Sequence, residues 1–181
     1  MANTIGTMHR ATFSLIRIRT RPGRRARGWL RAGPFALPVA LGRSGIKANK
    51  REGDGATPRG RFRLVRLWWR PDRNTRPRTL LPVRRIGPHD AWCEDPGDRR
   101  YNRPIPAKGG GDRLWREDRL YDFIIELDHN TRPRIAGRGS AVFVHVARSG
   151  FAPTAGCVAL DQRRLKALLP RLGPGTRIDI G

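Results

Sequence analysis

Apolar and polar residues recur with period two in several segments of this chain, and that spacing predicts β-strands, whose side chains alternate between two faces. The pattern runs through Phe13-Ser14-Leu15-Ile16-Arg17-Ile18-Arg19 and, most clearly, through Phe62-Arg63-Leu64-Val65-Arg66-Leu67-Trp68-Trp69. One or two further strands are predicted between Gly28 and Leu41, and others at Leu81 to Ile86, Tyr121 to Asp128, Ala141 to Val146 and Arg177 to Ile180. Pro22-Gly23 marks the turn after the first strand. One segment breaks the pattern. Behind Asp161, a residue suited to an N-cap, Leu165, Leu168, Leu169 and Leu172 recur at helical spacing, and Pro170 limits the last turn. The prediction is a mostly β fold over a single domain, 1–181, with one amphipathic helix late in the chain.

The segments between these elements are glycine- and proline-rich. Residues 42–60 hold five glycines and Pro58 and read as loop, and Pro71 to Pro82 reads as irregular. From His89 to Arg116 the chain is polar and broken by Pro96, Pro104, Pro106 and Gly109-Gly110-Gly111. It predicts an ordered excursion over one sheet face, open to reading as a lid or as an ordinary surface loop.

Charge changes the picture next. The 181 residues include 38 basic and 15 acidic ones, for a net charge of +23. Such a surface attracts polyanions through long-range forces and counterion release. The basic residues are dispersed, however, and no zinc-finger spacing or ribonucleoprotein-like aromatic motif accompanies them. The tryptophans, at 29, 68, 69, 92 and 115, sit among apolar runs and read as core and groove walls. The pattern therefore argues against specific nucleic-acid binding. No segment approaches the roughly 18 apolar residues of a membrane span. Between Met1 and Thr20 only Phe13-Ser14-Leu15-Ile16 is apolar before arginines return, so no signal peptide is visible. Cys93 and Cys157 make no disulfide framework, and with His9, His89, His129 and His145 they show no metal-site spacing. Cys93 reads as a buried thiol, with a redox switch as the lesser alternative.

The candidate chemistry lies near the C-terminus. A strand-like Phe143-Val144-His145-Val146-Ala147 is followed, twelve residues after the histidine, by Cys157 within Thr154-Ala155-Gly156-Cys157-Val158-Ala159-Leu160. Cysteine is a nucleophile as thiolate, and a nearby imidazole is the usual means of generating one at neutral pH. Gly156 has no side chain to block a reacting carbonyl. The pair predicts cysteine acyl transfer; the bland alternative is a buried small hydrophobe beside a hydrogen-bonded strand histidine.

A second motif bears on that choice. Arg51-Glu52-Gly53-Asp54-Gly55-Ala56-Thr57-Pro58-Arg59-Gly60-Arg61-Phe62 resembles the Gly-x-x-Thr-Pro-x-Gly-x-Phe signature of the L,D-transpeptidase (YkuD-type) family. In that family the signature is followed about a hundred residues later by a histidine and a [Ser/Thr]-x-Gly-Cys motif, and the order here is the same. The resemblance covers roughly residues 40–172 and implies a β-sandwich-like catalytic domain. It implies that Cys157 attacks the carbonyl of the third residue of a peptidoglycan stem peptide, releasing the terminal D-residue, with His145 as base. It further implies oxyanion donors at the backbone N–H groups of Gly156 and Cys157, and an amine from a second stem peptide that resolves the thioester. No metal or organic cofactor is needed. The implied partners are donor and acceptor stem peptides within an anionic cell wall, and the implied location is the periplasm or cell envelope.

The chain departs from the family in two places. Thr154-Ala155-Gly156-Cys157 stands where the family usually has Ser-His-Gly-Cys, and Ala159 stands where it usually has arginine, which implies a divergent branch. Thr154 is a candidate for orienting the imidazole or the nucleophile loop, or merely for stabilising the turn. Arg148 is a candidate for receiving a substrate carboxylate, and Ser140, Arg138 and Tyr121 flank the site strands. Two alternatives stay open: an L,D-carboxypeptidase or amidase that hydrolyses the same acyl-enzyme, and a non-catalytic basic module that binds cell wall or nucleic acid.

Overall fold

The period-two segments form strands, as a computed structural model describing residues 11–181 shows. His9 and the first ten residues of the N-terminal stretch lie outside the described residues. An antiparallel meander opens the fold: β1 (Leu15–Arg21), β2 (Arg24–Ala32) and β3 (Phe35–Ala40). Then come a short parallel pair, β4 (Ile46–Lys47) and β5 (Thr57–Pro58), and the long β6 (Gly60–Trp69). β7 (Val83–Arg85) lies parallel against the end of β6. β8 (Asp90–Trp92), β9 (Pro104–Pro106) and β10 (Asp112–Arg113) follow, then β11 (Phe123–Leu127), β12 (Phe143–Val146) and β13 (Val158–Leu160). Helix α1 (Gln162–Leu168) and β14 (Arg177–Ile180) end the chain.

Pairing in the main sheet runs β11-β12-β13-β3-β2-β1-β14-β6, and β6 pairs with β11 again. The ladder therefore closes on itself, with β7 added outside it on β6. Closure leaves few backbone groups unpaired at an edge, which protects a β-rich chain from edge-to-edge association.

Alternation along these strands sorts side chains onto two sides. Ile16, Ile18, Leu30, Leu67, Val144 and Val158 are among those that face the main core. Leu165, Leu168, Leu169 and Leu172 dock on that core from the C-terminal helical turns. Burying each leucine contributes about 1.5–3 kcal/mol. Asp161 caps α1 as expected, its carboxylate accepting the Arg164 N–H at 3.1 Å. The other side of β11 and β12 is apolar too. Ile124 and Phe143 pack there with Trp68, Trp92, Leu114, Tyr121 and Cys157 in a second cluster. Trp68, Trp69 and Trp92 are buried as expected, whereas Trp29 stands 40% exposed.

The second cluster exists because the excursion between His89 and Arg116 covers it. That excursion is built on a three-stranded sheet, order β10-β8-β9, with Cys93 buried between Ala91 and Ile105. Its strands are two or three residues long, too short for alternation to show, and β9 carries two prolines. Those prolines sit on the edge strand, where a missing N–H costs no ladder bond.

The glycine-rich segment ahead of β6 is tied to the loop ahead of β13. The buried Thr57 hydroxyl accepts the Gly42 N–H at 2.8 Å. Gly42 in turn bridges to Thr154: the Thr154 N–H donates to the Leu41 carbonyl at 2.9 Å, and the Arg43 N–H donates to the Thr154 carbonyl at 3.0 Å. A β-carbon on Gly42 would sit 2.3 Å from the Gly55 carbonyl oxygen, so only glycine fits between the two loops. Thr57→Val keeps the volume but leaves the buried Gly42 N–H unpaired. The expected loss is about 1–3 kcal/mol, read as a fall of roughly 2–12 °C in the thermal midpoint. An unchanged midpoint would show that this strap contributes nothing to stability.

Candidate active site

β12 and β13 run side by side in parallel, with Val144 opposite Val158 and His145 opposite Ala159. Val144, Val146, Val158 and Leu160 point into the main core, so alternation turns Phe143, His145, Cys157 and Ala159 the other way. Cys157 directly precedes β13, which makes it a diagonal neighbour of His145 on one face. Strand spacing and rise put their α-carbons about 8 Å apart. Both side chains line a cavity of about 910 Å³.

The Cys157 sulfur receives the Phe143 N–H at 3.4 Å and donates to the Ala141 carbonyl at 3.1 Å. His145 Nδ1 lies 2.8 Å from the Val146 carbonyl oxygen. A carbonyl only accepts, so Nδ1 carries the proton and Nε2 keeps the basic lone pair. The Tyr121 ring packs edge-on against the imidazole, with centroids 5.4 Å apart, and fixes its plane from a second side.

The loop that delivers Cys157 is organised by Thr154. Its hydroxyl donates to the Cys157 carbonyl at 2.6 Å and accepts the Gly156 N–H at 3.1 Å. Thr154 thus stabilises the nucleophile loop, with no hydrogen bond to the imidazole. This engagement ties the Gly156 amide, one of the two expected oxyanion donors, into the turn. The reason for glycine at 156 also differs from the expectation. Its φ is +152°, and a β-carbon there would lie 2.8 Å from the Ala56 carbonyl oxygen. The bare face of Gly156 accommodates the Ala56 carbonyl, just ahead of Thr57-Pro58.

Burial dominates the electrostatics. It pushes the His145 pKa down to about 4; the bond to Val146 acts the other way, and Arg116 and Arg148 add to the fall. Burial likewise pushes the Cys157 thiol up to about 12, partly offset by the Phe143 N–H and reinforced by Asp112 and Glu94. The resting pair is a neutral thiol beside a neutral imidazole. An ion pair here would be desolvated on both partners, and that cost outweighs their attraction.

Tyr121 lies deep in the wall. Its hydroxyl donates to Asp112 at 2.6 Å, and the Arg116 guanidinium covers its ring at 5.0 Å while pairing with Asp118 at 2.6 Å. Burial raises both the Tyr121 hydroxyl and the Asp112 carboxyl above their usual ranges. Ser140 also lines the cavity, 7% exposed, with no hydrogen-bond partner on its hydroxyl. Arg148 is exposed at the cavity lining, and no ion pair holds it among the described residues. Arg138 is not brought to the site. Its guanidinium reaches outward to Asn49 at 3.3 Å and takes no part in the lining, because the tight turn at Gly139 redirects the chain between it and Ser140.

Several lining residues escaped the reading of the sequence. Lys50 is buried with its ammonium held by Asp54 at 2.7 Å and by the Arg51 carbonyl at 2.6 Å. Arg43, Glu52, Glu94, Asp112 and Arg116 join it in the lining. Lys50 and Glu52 flank the Thr57-Pro58 motif and were findable from that proximity. Glu94 and Asp112 arrive from the excursion, and nothing local in the sequence marks them. Among the described residues no group of three or more His, Cys, Asp or Glu side chains is arranged to hold a metal ion.

The family model for the L,D-transpeptidase catalytic domain, YkuD, matches residues 18–180. Comparison with curated proteins and with solved structures gave no match. The matched stretch takes in the closed sheet, the strap between the two loops and the whole Cys157–His145 cavity, and the chain belongs to the YkuD family of L,D-transpeptidase catalytic domains.

Proposed function

We propose that this protein is a peptidoglycan L,D-transpeptidase that joins stem peptides through a thioester on Cys157. The observation that carries the reading is the shared cavity: a loop thiol and a strand imidazole with a free Nε2 open onto one face. Family membership supplies the substrate class, peptidoglycan, and the acyl-transfer chemistry. At about 910 Å³ the cavity is sized for a peptide segment.

Attack begins from the neutral pair. As the Cys157 sulfur closes on the donor carbonyl, its proton passes to His145 Nε2, so no bare thiolate has to persist in a desolvated site. The Cys157 N–H supports the negative oxygen that develops. His145 then returns the proton to the departing D-residue amine, the C–N bond breaks and the thioester remains. An amine from a second stem peptide attacks that thioester, forms the new amide and restores the thiol. Arg148 is placed to receive a donor carboxylate. The net charge of +23 favours residence near an anionic wall, and the proposed site of action is the cell envelope. No helix among the described residues is long and apolar enough to cross a membrane.

Incubation with tetrapeptide-stem muropeptides, with products weighed by mass spectrometry, tests the reading. Dimers that vanish in Cys157→Ala and fall roughly 10²- to 10⁴-fold in His145→Gln are expected. Tripeptide monomers without dimers would identify a hydrolase, and no product with equal, slow alkylation of both cysteines would identify a binding module.

The His145 shift gives a pH signature. The base form is the neutral imidazole, lost only as pH falls through its pKa of about 4. Acyl-enzyme formation, followed by single-turnover mass spectrometry, should therefore hold nearly constant from pH 8 down to roughly pH 5. An acid limb near the ordinary histidine value of about 6.5 would contradict the burial argument.

Arg148→Ala should raise the donor KM roughly tenfold with little change in kcat, since a ground-state carboxylate contact is removed. An unchanged KM would place the donor carboxylate elsewhere.

A further inference from the structure

Although basic residues outnumber acidic ones 38 to 15, three carboxyls, those of Glu52, Glu94 and Asp112, converge on the lining of the Cys157 cavity. Two of them are held. Glu52 accepts the Tyr101 hydroxyl, and Asp112 accepts the Tyr121 hydroxyl at 2.6 Å and faces Arg116 at 3.4 Å. Glu94 has neither a hydrogen bond nor an ion pair among the described residues, and it opens onto the cavity. The cations nearby do not neutralise it: Lys50 is bound to Asp54 at 2.7 Å and Arg116 to Asp118 at 2.6 Å. Arg43 and Arg148 complete the charged lining, and His145 stays neutral. A second, independent feature marks the same cavity. The Ser140 hydroxyl is more than nine-tenths buried there, with the Tyr101 hydroxyl as a neighbour but no well-formed hydrogen bond, a costly state unless a ligand atom satisfies it.

We propose that Glu94 is the acceptor's general base: its carboxylate, with the Ser140 hydroxyl in the same cavity, binds the ammonium group of the incoming amine and takes one proton from it. This inference rests on the thioester reading above. An amine arrives at neutral pH as an ammonium ion, which has no lone pair to attack with. Glu94 removes one N–H proton and becomes the neutral acid, and the freed lone pair attacks the thioester carbonyl. The tetrahedral adduct then expels the sulfur, its second N–H proton travels through His145 to the thiolate, and amide and thiol are formed. Glu94 returns its proton to water.

Why Glu94 and not His145 follows from their surroundings. Glu94 stands exposed overall, but its carboxyl gives up part of its water at the cavity wall and, with Asp112 and Glu52 nearby, is raised to about 7, whereas buried His145 is lowered to about 4. A base near the working pH both holds its charge for the ammonium and sheds the proton afterwards. His145 is already engaged in moving the proton between the amine and the Cys157 sulfur.

The test separates the two half-reactions in the full chain. With Glu94→Gln, acyl-enzyme on Cys157 should form from the tetrapeptide donor as fast as in the parent or faster, since a carboxylate that raises the thiol has been removed. Dimer formation at pH 7 should fall roughly 30- to 100-fold, with hydrolysis taking over the thioester. Hydroxylamine, already neutral at pH 7, should bring the variant's transfer rate to within about threefold of the parent's, and Glu94→Asp should recover part of the stem-amine transfer. Ser140→Ala should raise the acceptor KM roughly threefold and leave acylation alone. Equal losses with hydroxylamine and with the stem amine, or undiminished dimers in Glu94→Gln, would overturn the base role while leaving the thioester intact. A parent protein that forms no acyl-enzyme would instead remove the thioester reading, and this inference with it.

Discussion

The site depends on a buried hydroxyl that is far from Cys157 in sequence. Thr57 accepts the Gly42 N–H, Gly42 lies in register with Thr154, and the Thr154 hydroxyl ties together the Gly156 amide and the Cys157 carbonyl. Each bond contributes little alone, about 1 kcal/mol net. Their joint effect is on geometry, because a loop in water would otherwise sample many positions for the sulfur. The two glycines in this strap, 42 and 156, are both places where another backbone occupies the space of a side chain. The threonine-proline motif is thus tied physically to the glycine-cysteine motif: one is the seat on which the other rests.

The second constraint is desolvation. Placing a thiol and an imidazole under Trp68, Trp92, Phe143 and Tyr121 denies both their charged forms. In the proposed reaction the proton therefore moves in concert with attack within a held geometry, with no resting ion pair. The same burial keeps the strongly positive surface from dictating the chemistry. Of the four cations in the cavity lining, Lys50 and Arg116 are matched locally and Arg43 and Arg148 carry no ion pair among the described residues, and of the three lining carboxyls Glu94 is the unmatched one.

How far the sequence could be read follows from the length scale of each signal. β6 and β14 were legible because enough alternating residues lie in one stretch, and α1 because its leucines and its Asp161 cap are local. β8, β9 and β10 were not, since two or three residues show no period and their stability comes from one another. Among the site residues, His145 and Cys157 announce themselves by residue type and neighbours. The roles of Thr154 and Gly156 were only half legible, because the partners that decide them, Gly42 and Ala56, are about a hundred residues away. Arg138 looked equivalent to Ser140 from two positions away, yet the positive-φ glycine between them sends one outward and buries the other.

The departures from the family pattern become intelligible in this geometry. Ala159 is the register partner of His145 and lines the cavity, so a long cation at that position would lie against the imidazole and fill space beside the thiol. With alanine there, the floor stays open and the free cation of the lining comes from Arg148, on the loop that leaves β12. Ala155 similarly brings no second imidazole to the nucleophile loop, and the groups able to move protons around Cys157 are then His145 and the carboxyls carried in by the excursion. The excursion is thus more than a cover for the second apolar cluster. By bringing Glu94 and Asp112 to a cavity whose floor is set by β12 and β13, it makes the polarity of that cavity a property of two different sheets. Sequence change in the excursion can therefore alter what the site accepts without disturbing the strap that holds the sulfur.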